Sequence, residues 1–145
     1  MKQLLLCGLL SVMLAGCAAN QSRALDPVTK AALDKAAVEK AALEKKIDAN
    51  MAIDPDFIPF DKLSPKLDEV GKGQLLRQLP KLKASKSIIV RGHCYRGDIG
   101  NAKAAAQARA VDVKNFLTSV GVSEVYITLR YDTERKSHGV QLVSK

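Results

Sequence analysis

The sequence predicts a domain of the α+β class, preceded by a separate helical segment. In the C-terminal part of the chain, β-branched runs and amphipathic helical patterns follow one another in the order β-α-β-α-β-β. An alanine- and lysine-rich pentapeptide repeat stands before them. The chain has 145 residues, and single domains usually take roughly 100–200 residues. One domain with accessory segments is therefore expected.

The first residues are typical of a bacterial export signal. Lys2 supplies a positive start, and residues 4–15 supply an apolar run. As a helix this run reaches ~18 Å, short of the ~30 Å hydrocarbon core of a bilayer, so it is not a permanent span. The run ends in Leu-Ala-Gly-Cys at residues 14–17, which resembles the lipobox of bacterial lipoproteins. We expect residues 1–16 to be a cleaved signal peptide and Cys17 to carry lipid.

The resemblance to lipoproteins also implies a location. In that class the cysteine is lipidated and N-acylated, and several acyl chains anchor more firmly than one, because each buried CH₂ contributes ~0.8 kcal/mol. Ala18 follows Cys17, and lipoproteins without an acidic residue at that position are generally exported to the outer membrane. We expect the chain at the periplasmic face of an outer membrane, held there by its lipid anchor.

Residues 17–50 are predicted to form a lipidated tether and a helical spacer. Asp26 and Pro27 are a favourable helix cap and first position. A pentapeptide of the type Lys-Ala-Ala-apolar-acidic then repeats at residues 30–34, 35–39 and 40–44. Five residues rotate a helix by about 500°, so the apolar positions never align as a stripe for burial. A helix over residues 28–49 would extend ~33 Å. A coiled-coil helix is the alternative.

The domain is expected to begin at Met51, where the repeat gives way to short runs with glycine and proline. Strands are predicted at residues 56–61, 87–93, 125–131 and 140–143. Pro59 indicates that the first of them lies at an edge of the sheet. Ser64 and Pro65 are expected to start the first helix, and Pro80 to end or kink it.

A second helix is predicted after the loop at residues 94–100. Its apolar positions are spaced by three and four residues, as a core-facing stripe requires, at Ala106, Ala110, Val113, Leu117 and Val120. Gly121 is a natural stop for this helix.

Three of these segments together resemble a known family. They are Phe57-x-x-Phe60-Asp61-Lys62, then Ile-Ile-Val-Arg-Gly-His ending at His93, then Ala-Arg-Ala-x-x-Val around Arg109. They are similar to the OmpA-like C-terminal domain of peptidoglycan-associated lipoproteins, over about residues 53–145. The resemblance implies a two-layer α+β sandwich of helices on a small mixed sheet, which binds the stem peptide of peptidoglycan without covalent attachment and without a cofactor.

The resemblance also implies a ligand site, from which the sequence departs. In the family an aspartate and an arginine bind the ammonium and carboxylate ends of diaminopimelate. Arg109 is kept, but Tyr95 occupies the aspartate position, and Asn101 stands where the family has a Tyr-Asn pair. The loop is one residue shorter, and the last hairpin is reduced to residues 132–139. Asp98 could supply the missing charge. The candidate ligand-binding residues are His93, Tyr95, Asp98, Asn101 and Arg109.

Physical chemistry supports this site in part. An arginine binds a carboxylate through two parallel hydrogen bonds, and a helix N-terminus near Gly100 and Asn101 favours an anion. A solvated or structural arginine is the alternative for Arg109. The predicted mature chain keeps one thiol, Cys94, so no intramolecular disulfide is possible. Burial of that thiol and a reactive or intermolecular role both remain open.

Several classes of function are disfavoured. His93 and Cys94 are neighbours on a strand, so they point to opposite faces and cannot form a catalytic dyad. With Asp98 and His138 they show no metal-ligand spacing. No paired carboxylates or triad indicate an enzyme. The net charge is +8, and residues 51–145 hold sixteen basic and ten acidic side chains. Nucleic acid is excluded for an exported lipoprotein, so cell wall, lipid headgroups or an acidic protein are the expected partners.

Two functions are compatible with these features. The first is a lipid-anchored protein of the cell envelope that binds peptidoglycan through its domain. The second is a structural subunit of an envelope-spanning complex, such as the outer-membrane core of a secretion or conjugation machine, with a decayed peptidoglycan site. The Tyr95 substitution favours the second.

Overall fold

A long helix, α1 (Pro27–Ile53), is the first element of the computed structural model, which describes residues 27–145. The predicted signal peptide, the lipid attachment at Cys17 and the Asp26 cap lie outside the described residues. The side chains of residues 27–42 are all exposed, as expected for a repeat without an apolar stripe. The helix predicted over residues 28–49 is confirmed.

The last turns of α1 pack against the domain. Ile47 is buried, and it contacts the second helix of the chain beside Gly73. The carboxylate of Asp48 in α1 forms an ion pair with Arg77, which lies on that second helix. The helix passes residue 51, where we expected the domain to begin, and ends at Ile53. The packed core therefore includes part of the segment that the sequence predicted to be spacer.

Four strands form one sheet in the order β1-β4-β2-β3. They are β1 (Phe57–Pro59), β2 (Ile88–Cys94), β3 (Ile127–Asp132) and β4 (His138–Ser144). Strand β2 is parallel to β3 and antiparallel to β4, and β4 is antiparallel to β1. Pro59 therefore lies on an edge strand, as predicted.

The expected hairpin between the last two strands is absent from the described sheet. Strands β3 and β4 do not pair, because β2 lies between them. The cause is the composition of β2, whose Ile88 and Val90 are fully buried. A strand of this kind gains most from the centre of a sheet, where both of its neighbours cover it. The segment around residues 132–139 consequently crosses an end of β2.

Helix α2 (Glu69–Ala84) starts later than Ser64 and Pro65 indicated. Its cap is Asp68, whose carboxylate accepts a hydrogen bond of 2.7 Å from the backbone N–H of Gly71. The hydroxyl of Ser64 instead accepts the N–H of Lys66 in a local turn. Serine and aspartate are about equally good caps, and the start at Asp68 is fixed by a tertiary contact, the hydrogen bond of 2.8 Å from the N–H of Leu67 to the carboxylate of Asp112.

Pro80 does not end α2, which continues to Ala84. Proline leaves the carbonyl of Leu76 without its helical partner, and Leu76 is half exposed. On the side of α2 that faces the core, Leu75 before the proline and Leu82 after it are both buried. Burial of both leucines favours continuing the helix past the proline.

Helix α3 (Ala102–Ser119) lies across β2 and closely follows the prediction. The predicted stripe is buried except for Val120, which is the C-cap and only partly covered. A Cβ at Gly92 would collide with the carbonyl oxygen of Ala106, so this glycine permits the close approach of α3 to the sheet. Gly121 follows the helix with a φ of 92°, a conformation that favours glycine.

Both α2 and α3 cover the same face of the sheet. The core between the layers is aliphatic and is formed by Ile58, Leu75, Leu82, Ile88, Val90, Val113, Leu117, Val140 and Leu142, with smaller contributions from neighbours. The element order β-α-β-α-β-β and the two-layer α+β class are therefore confirmed. Among residues 27–145, no helix is long and apolar enough to cross a membrane.

Candidate functional site

A groove of about 380 Å³ opens at one end of the sandwich, between the segment that follows β1 and the start of α3. Its wall is largely apolar, and it is lined by Lys62, Leu63, Ser64, Pro65, Ile99, Asn101, Ala104, Ala105, Ala108 and Arg109. Two of the predicted site residues, Asn101 and Arg109, thus share one groove. A third, Asp98, lies at its mouth through an ion pair of 3.3 Å with Lys62.

Arg109 is buried beneath this groove with 1% of its surface exposed. Its Nε–H donates to the carbonyl of Ser64 at 3.2 Å. Its Nη2 donates to the carbonyls of Asp61 at 3.0 Å and Lys62 at 2.9 Å. Its Nη1 donates to the carbonyl of His93 at 2.8 Å. One guanidinium therefore joins the segment after β1 to the end of β2.

These bonds occupy the donors that a ligand would need. A guanidinium has five N–H groups, and the fifth faces Nδ1 of His138 at 3.4 Å. A carboxylate could take a pair of them only by displacing backbone carbonyls. The contacts observed for Arg109 are structural, and its direct role in binding stays a prediction.

His138 connects Arg109 to Asp98. Its Nε2 lies 2.9 Å from a carboxylate oxygen of Asp98, and its Nδ1 faces the arginine donor. The imidazole therefore donates from Nε2 and accepts at Nδ1. Hydrogen bonds from His138 and from Lys62 lower the pKa of Asp98. Asp98 is thus held as an anion at the mouth of the groove.

Sequence reasoning did not assign His138 or Lys62 to this site. Lys62 could have been assigned from the sequence, since it is the last residue of the segment Phe57-x-x-Phe60-Asp61-Lys62 that carries the family resemblance. His138 carried no local signal, because it lies 40 residues from Asp98 in the chain and reaches it only through the pairing of β4 with β2.

The N-terminus of α3 opens into the groove. Asn101 is its N-cap and accepts the N–H of Ala104 through its side chain at 3.4 Å. Its role in the described structure is to start the helix. The positive end of the helix dipole then favours an anion in the groove.

Two solved structures show which fold this is. The C-terminal domain of Helicobacter pylori MotB matches with a TM-score of 0.53 and 16% identity, over 62% of this chain and 84% of that one. The OmpA-like domain of FopA1 from Francisella tularensis matches with a TM-score of 0.50 and 16% identity, over 61% of this chain and 70% of that one. The fold is that of OmpA-like domains. No family model matches the sequence, and no curated protein does.

Tyr95 lies outside the groove. The side chain is partly buried, and its ring packs beside Gly97. The ammonium of Lys136 lies 5.9 Å from the ring centre, within reach of a cation–π contact. The residue at the family's aspartate position is therefore not among those that line the groove in the described structure.

His93 also faces away from the groove. It is fully buried on the side of β2 opposite Gly92 and α3, and its ring centre lies 6.2 Å from that of Phe57. Burial lowers the pKa of His93, although Asp132, whose carboxylate lies 3.6 Å from Nδ1, acts against this. Neither ring nitrogen has a hydrogen-bond partner among residues 27–145. His93 is thus held neutral within the domain. Its only link to the groove is its backbone carbonyl, which accepts a hydrogen bond from Arg109.

Cys94 is buried against the other face of the strand, beside Ala102 and Ala106. Of the two alternatives for this thiol, the structure supports burial. The opposite orientation of His93 and Cys94 agrees with the alternation expected along a strand.

Proposed function

We propose that this chain is a lipid-anchored protein of the cell envelope whose OmpA-like domain binds the stem peptide of peptidoglycan non-covalently. The observation that carries the proposal is the groove, which combines an apolar wall, a carboxylate, an ammonium and a helix N-terminus in a domain of OmpA-like fold. The free end of a diaminopimelate side chain carries both an ammonium and a carboxylate, so the two signs of charge are complementary.

The ligand contacts follow from the positions of the charges. Asp98 is the acceptor for the ligand ammonium, in place of the aspartate that Tyr95 replaces. Lys62 and the N-terminus of α3 receive the carboxylate. The side chains of Lys62 and Asp98 are 51% and 38% exposed, and an exposed ion pair contributes little stability. The ligand can therefore replace this pair at small cost, and we expect weak binding.

Arg109 supports this site indirectly. Its bonds to the carbonyls of Asp61, Lys62 and Ser64 fix the backbone that carries the Lys62 side chain. Through His138 it also fixes the orientation of Asp98. An arginine at this position thus positions both charged contacts of the groove.

The remaining parts of the chain fit an anchored protein. The lipid on Cys17 would hold the N-terminus at the periplasmic face of the outer membrane. The exposed part of helix α1, residues 27–42, spans ~24 Å at 1.5 Å per residue. We propose that it carries the domain from the membrane toward the cell wall.

Calorimetric titration of the full chain in detergent with a diaminopimelate-containing muropeptide tests the binding. We expect saturable binding that Asp98→Ala and Lys62→Met weaken. Lys66→Met is the matched control, because Lys66 is an exposed lysine that does not line the groove. Tyr95→Asp restores the family residue and should not weaken binding. No binding by the wild type or by Tyr95→Asp, with folding intact, would overturn the proposal.

A second function is favoured by two observations, the tyrosine at the family's aspartate position and the full use of the Arg109 donors. A structural subunit of an envelope-spanning secretion or conjugation complex would keep the fold and lose the ligand. Pull-down on purified sacculi, compared with co-purification from detergent-solubilised envelopes, separates the two functions. Retention on sacculi supports the first, and a stable complex without sacculus binding supports the second.

A further inference from the structure

The two edges of the sheet are protected very differently. Strand β1 is short and contains Pro59, and glutamines of α2 cover the carbonyl of its first residue and that of Pro55 just before it. Gln74 donates to the carbonyl of Phe57 at 2.9 Å and to that of Pro55 at 2.9 Å. A second glutamine, Gln78, bonds to the same Pro55 carbonyl. Proline and covering side chains are the usual means of blocking an edge strand.

Strand β3 has none of this protection. It spans Ile127–Asp132 without a proline and pairs only with β2. The backbone N–H of Ile127, at the start of the strand, donates to the carbonyl of Glu124. Beyond Ile127, no side chain or loop within residues 27–145 forms a hydrogen bond to the backbone of β3 from its outer side. The outward N–H and C=O groups of a complete strand are therefore open to another strand.

An apolar groove runs beside this open edge. It measures about 350 Å³ and lies between α3 and β3. Leu129 and Tyr131 form one wall from the strand, and Val111 forms the other from the helix. Because Leu129 pairs with Val90 and Tyr131 with Gly92, both side chains point to the helical layer, yet they remain 39% and 48% exposed. An added strand would cover them with alternate side chains.

Basic side chains lie on both faces of this edge. Arg130 borders the groove, and Lys103 stands near its Tyr131 wall. Arg91 shares the opposite face of the sheet with Arg130, where Glu134 also lies. Arg91, Arg130 and Lys103 form no ion pair with another residue in the described part of the chain. Lys103 lies 5.3 Å from the ring centre of Tyr131. The acid at the end of the strand, Asp132, is directed to the following loop, where it accepts the backbone N–H of Glu134 at 2.9 Å.

We propose that the edge of β3 and its groove bind an extended segment of a partner protein in which apolar and acidic residues alternate. The segment adds a fifth strand to the sheet. Its apolar side chains enter the groove beside Leu129 and Tyr131, and its acidic side chains pair with Arg130 and its basic neighbours. A second copy of this chain offers less than an acidic segment, since β3 itself carries Arg130, and a register that places the two Arg130 side chains opposite each other is repulsive.

Fluorescence anisotropy with a labelled peptide of alternating valine and glutamate tests this surface on the full chain in detergent. We expect saturable binding, and binding about tenfold weaker for Leu129→Glu and for Arg130→Glu, since each removes a central contact. Arg130 is exposed, so that variant keeps the fold even if Leu129→Glu does not. Val125→Glu is the matched control, because Val125 is 89% exposed and does not line the groove. A peptide of alternating valine and lysine should not bind.

Backbone pairing is tested by two N-methylated forms of the valine–glutamate peptide, methylated at opposite alternate positions. One form loses the N–H groups that pair with β3 and should not bind, while the other keeps them and should bind as the parent does. Amides of β3 should become protected from hydrogen exchange in the complex. Equal binding of both methylated forms, binding of the lysine peptide, or self-association of the chain that Leu129→Glu abolishes would each overturn the proposal.

Discussion

Arg109 joins three parts of the chain through a single side chain. A buried guanidinium is stable only when its N–H groups are satisfied, because an unpaired buried charge costs several kcal/mol. Here the acceptors are carbonyls of the segment after β1 and of β2. The arginine and these carbonyls satisfy one another, so each group would be left unpaired without the other.

We therefore expect Arg109→Ala to lower the free energy of unfolding by roughly 2–4 kcal/mol, since it leaves the buried carbonyl of His93 and several partly buried carbonyls without donors. Arg109→Lys should recover only part of this, because an ammonium cannot reproduce the planar fork. Arg96→Ala is the control, since Arg96 forms an exposed ion pair with Glu134 and should cost no more than about 0.5 kcal/mol. Urea denaturation followed by circular dichroism measures all three. Equal losses for Arg109→Ala and Arg96→Ala would contradict the structural role.

His93 gives the domain a stability that depends on pH. Burial lowers its pKa in the folded protein, whereas in the unfolded chain the value is about 6.5. Below that value the unfolded chain binds the proton more readily, so stability falls as the pH decreases from about 6.5 toward the lower pKa of the folded state. Asp98 and Asp132 also have lowered pKa values, but their contribution is lost at more acidic pH.

Urea midpoints measured between about pH 7 and pH 5 check this expectation, since the histidine titrates there and the carboxylates do not. His93→Gln removes the titrating group and should flatten the profile in this window. An unchanged slope in that variant would assign the pH dependence to other groups.

At the scale of elements, local patterns predicted what local interactions decide. The spacing of Ala106, Ala110 and Val113 predicted the buried face of α3, and Gly121 predicted its end. The start of α2 depends on a contact that no local pattern shows, because the N–H of Leu67 is held by Asp112, 45 residues away. The edge position of β3 also depends on another strand, because the buried side chains of β2 place that strand between β3 and β4. In the candidate site, the sequence motif indicated Arg109. The backbone carbonyls that accept its hydrogen bonds come from segments that are distant in the chain.

The end of α1 also depends on packing that the local sequence pattern does not show, and this packing can be tested. The repeat predicted a helix without a packing face, which describes residues 27–42 but not Ile47. We expect Ile47→Ala to destabilise the domain by about 2–4 kcal/mol, as truncation of a buried isoleucine usually does. Leu33→Ala is the matched control, because Leu33 is exposed on the same helix and should be nearly neutral. The urea midpoint distinguishes them, and equal effects would show that α1 does not pack on α2 in solution.

At the scale of the whole molecule, the proposed lipid anchor gives the length of α1 a function, because that length would set how far the domain stands from the membrane. Deleting residues 30–39 should shorten the reach by ~15 Å without touching Ile47. Replacing the same residues by two Glu-Ala-Ala-Ala-Lys repeats keeps the length and removes the native sequence. We expect the deletion to reduce association of the lipid-anchored protein with sacculi, and the replacement to preserve it. Loss of association on replacement would indicate a specific partner for the helix instead.

The length of the spacer matters only if the chain is attached to the membrane at Cys17. If lipid on Cys17 is the only durable attachment, Cys17→Ser should give protein that is soluble or retains its signal, because a polar tether and an exposed helix offer no alternative apolar surface for insertion. Radiolabelled palmitate should enter the wild type and Cys94→Ala, the control that removes the other thiol of the mature chain, but not Cys17→Ser. Fractionation should then place Cys17→Ser outside the membrane pellet or at the size of the uncleaved precursor. Palmitate that still enters Cys17→Ser would place the lipid on another residue, and the spacer would then have to be measured from there.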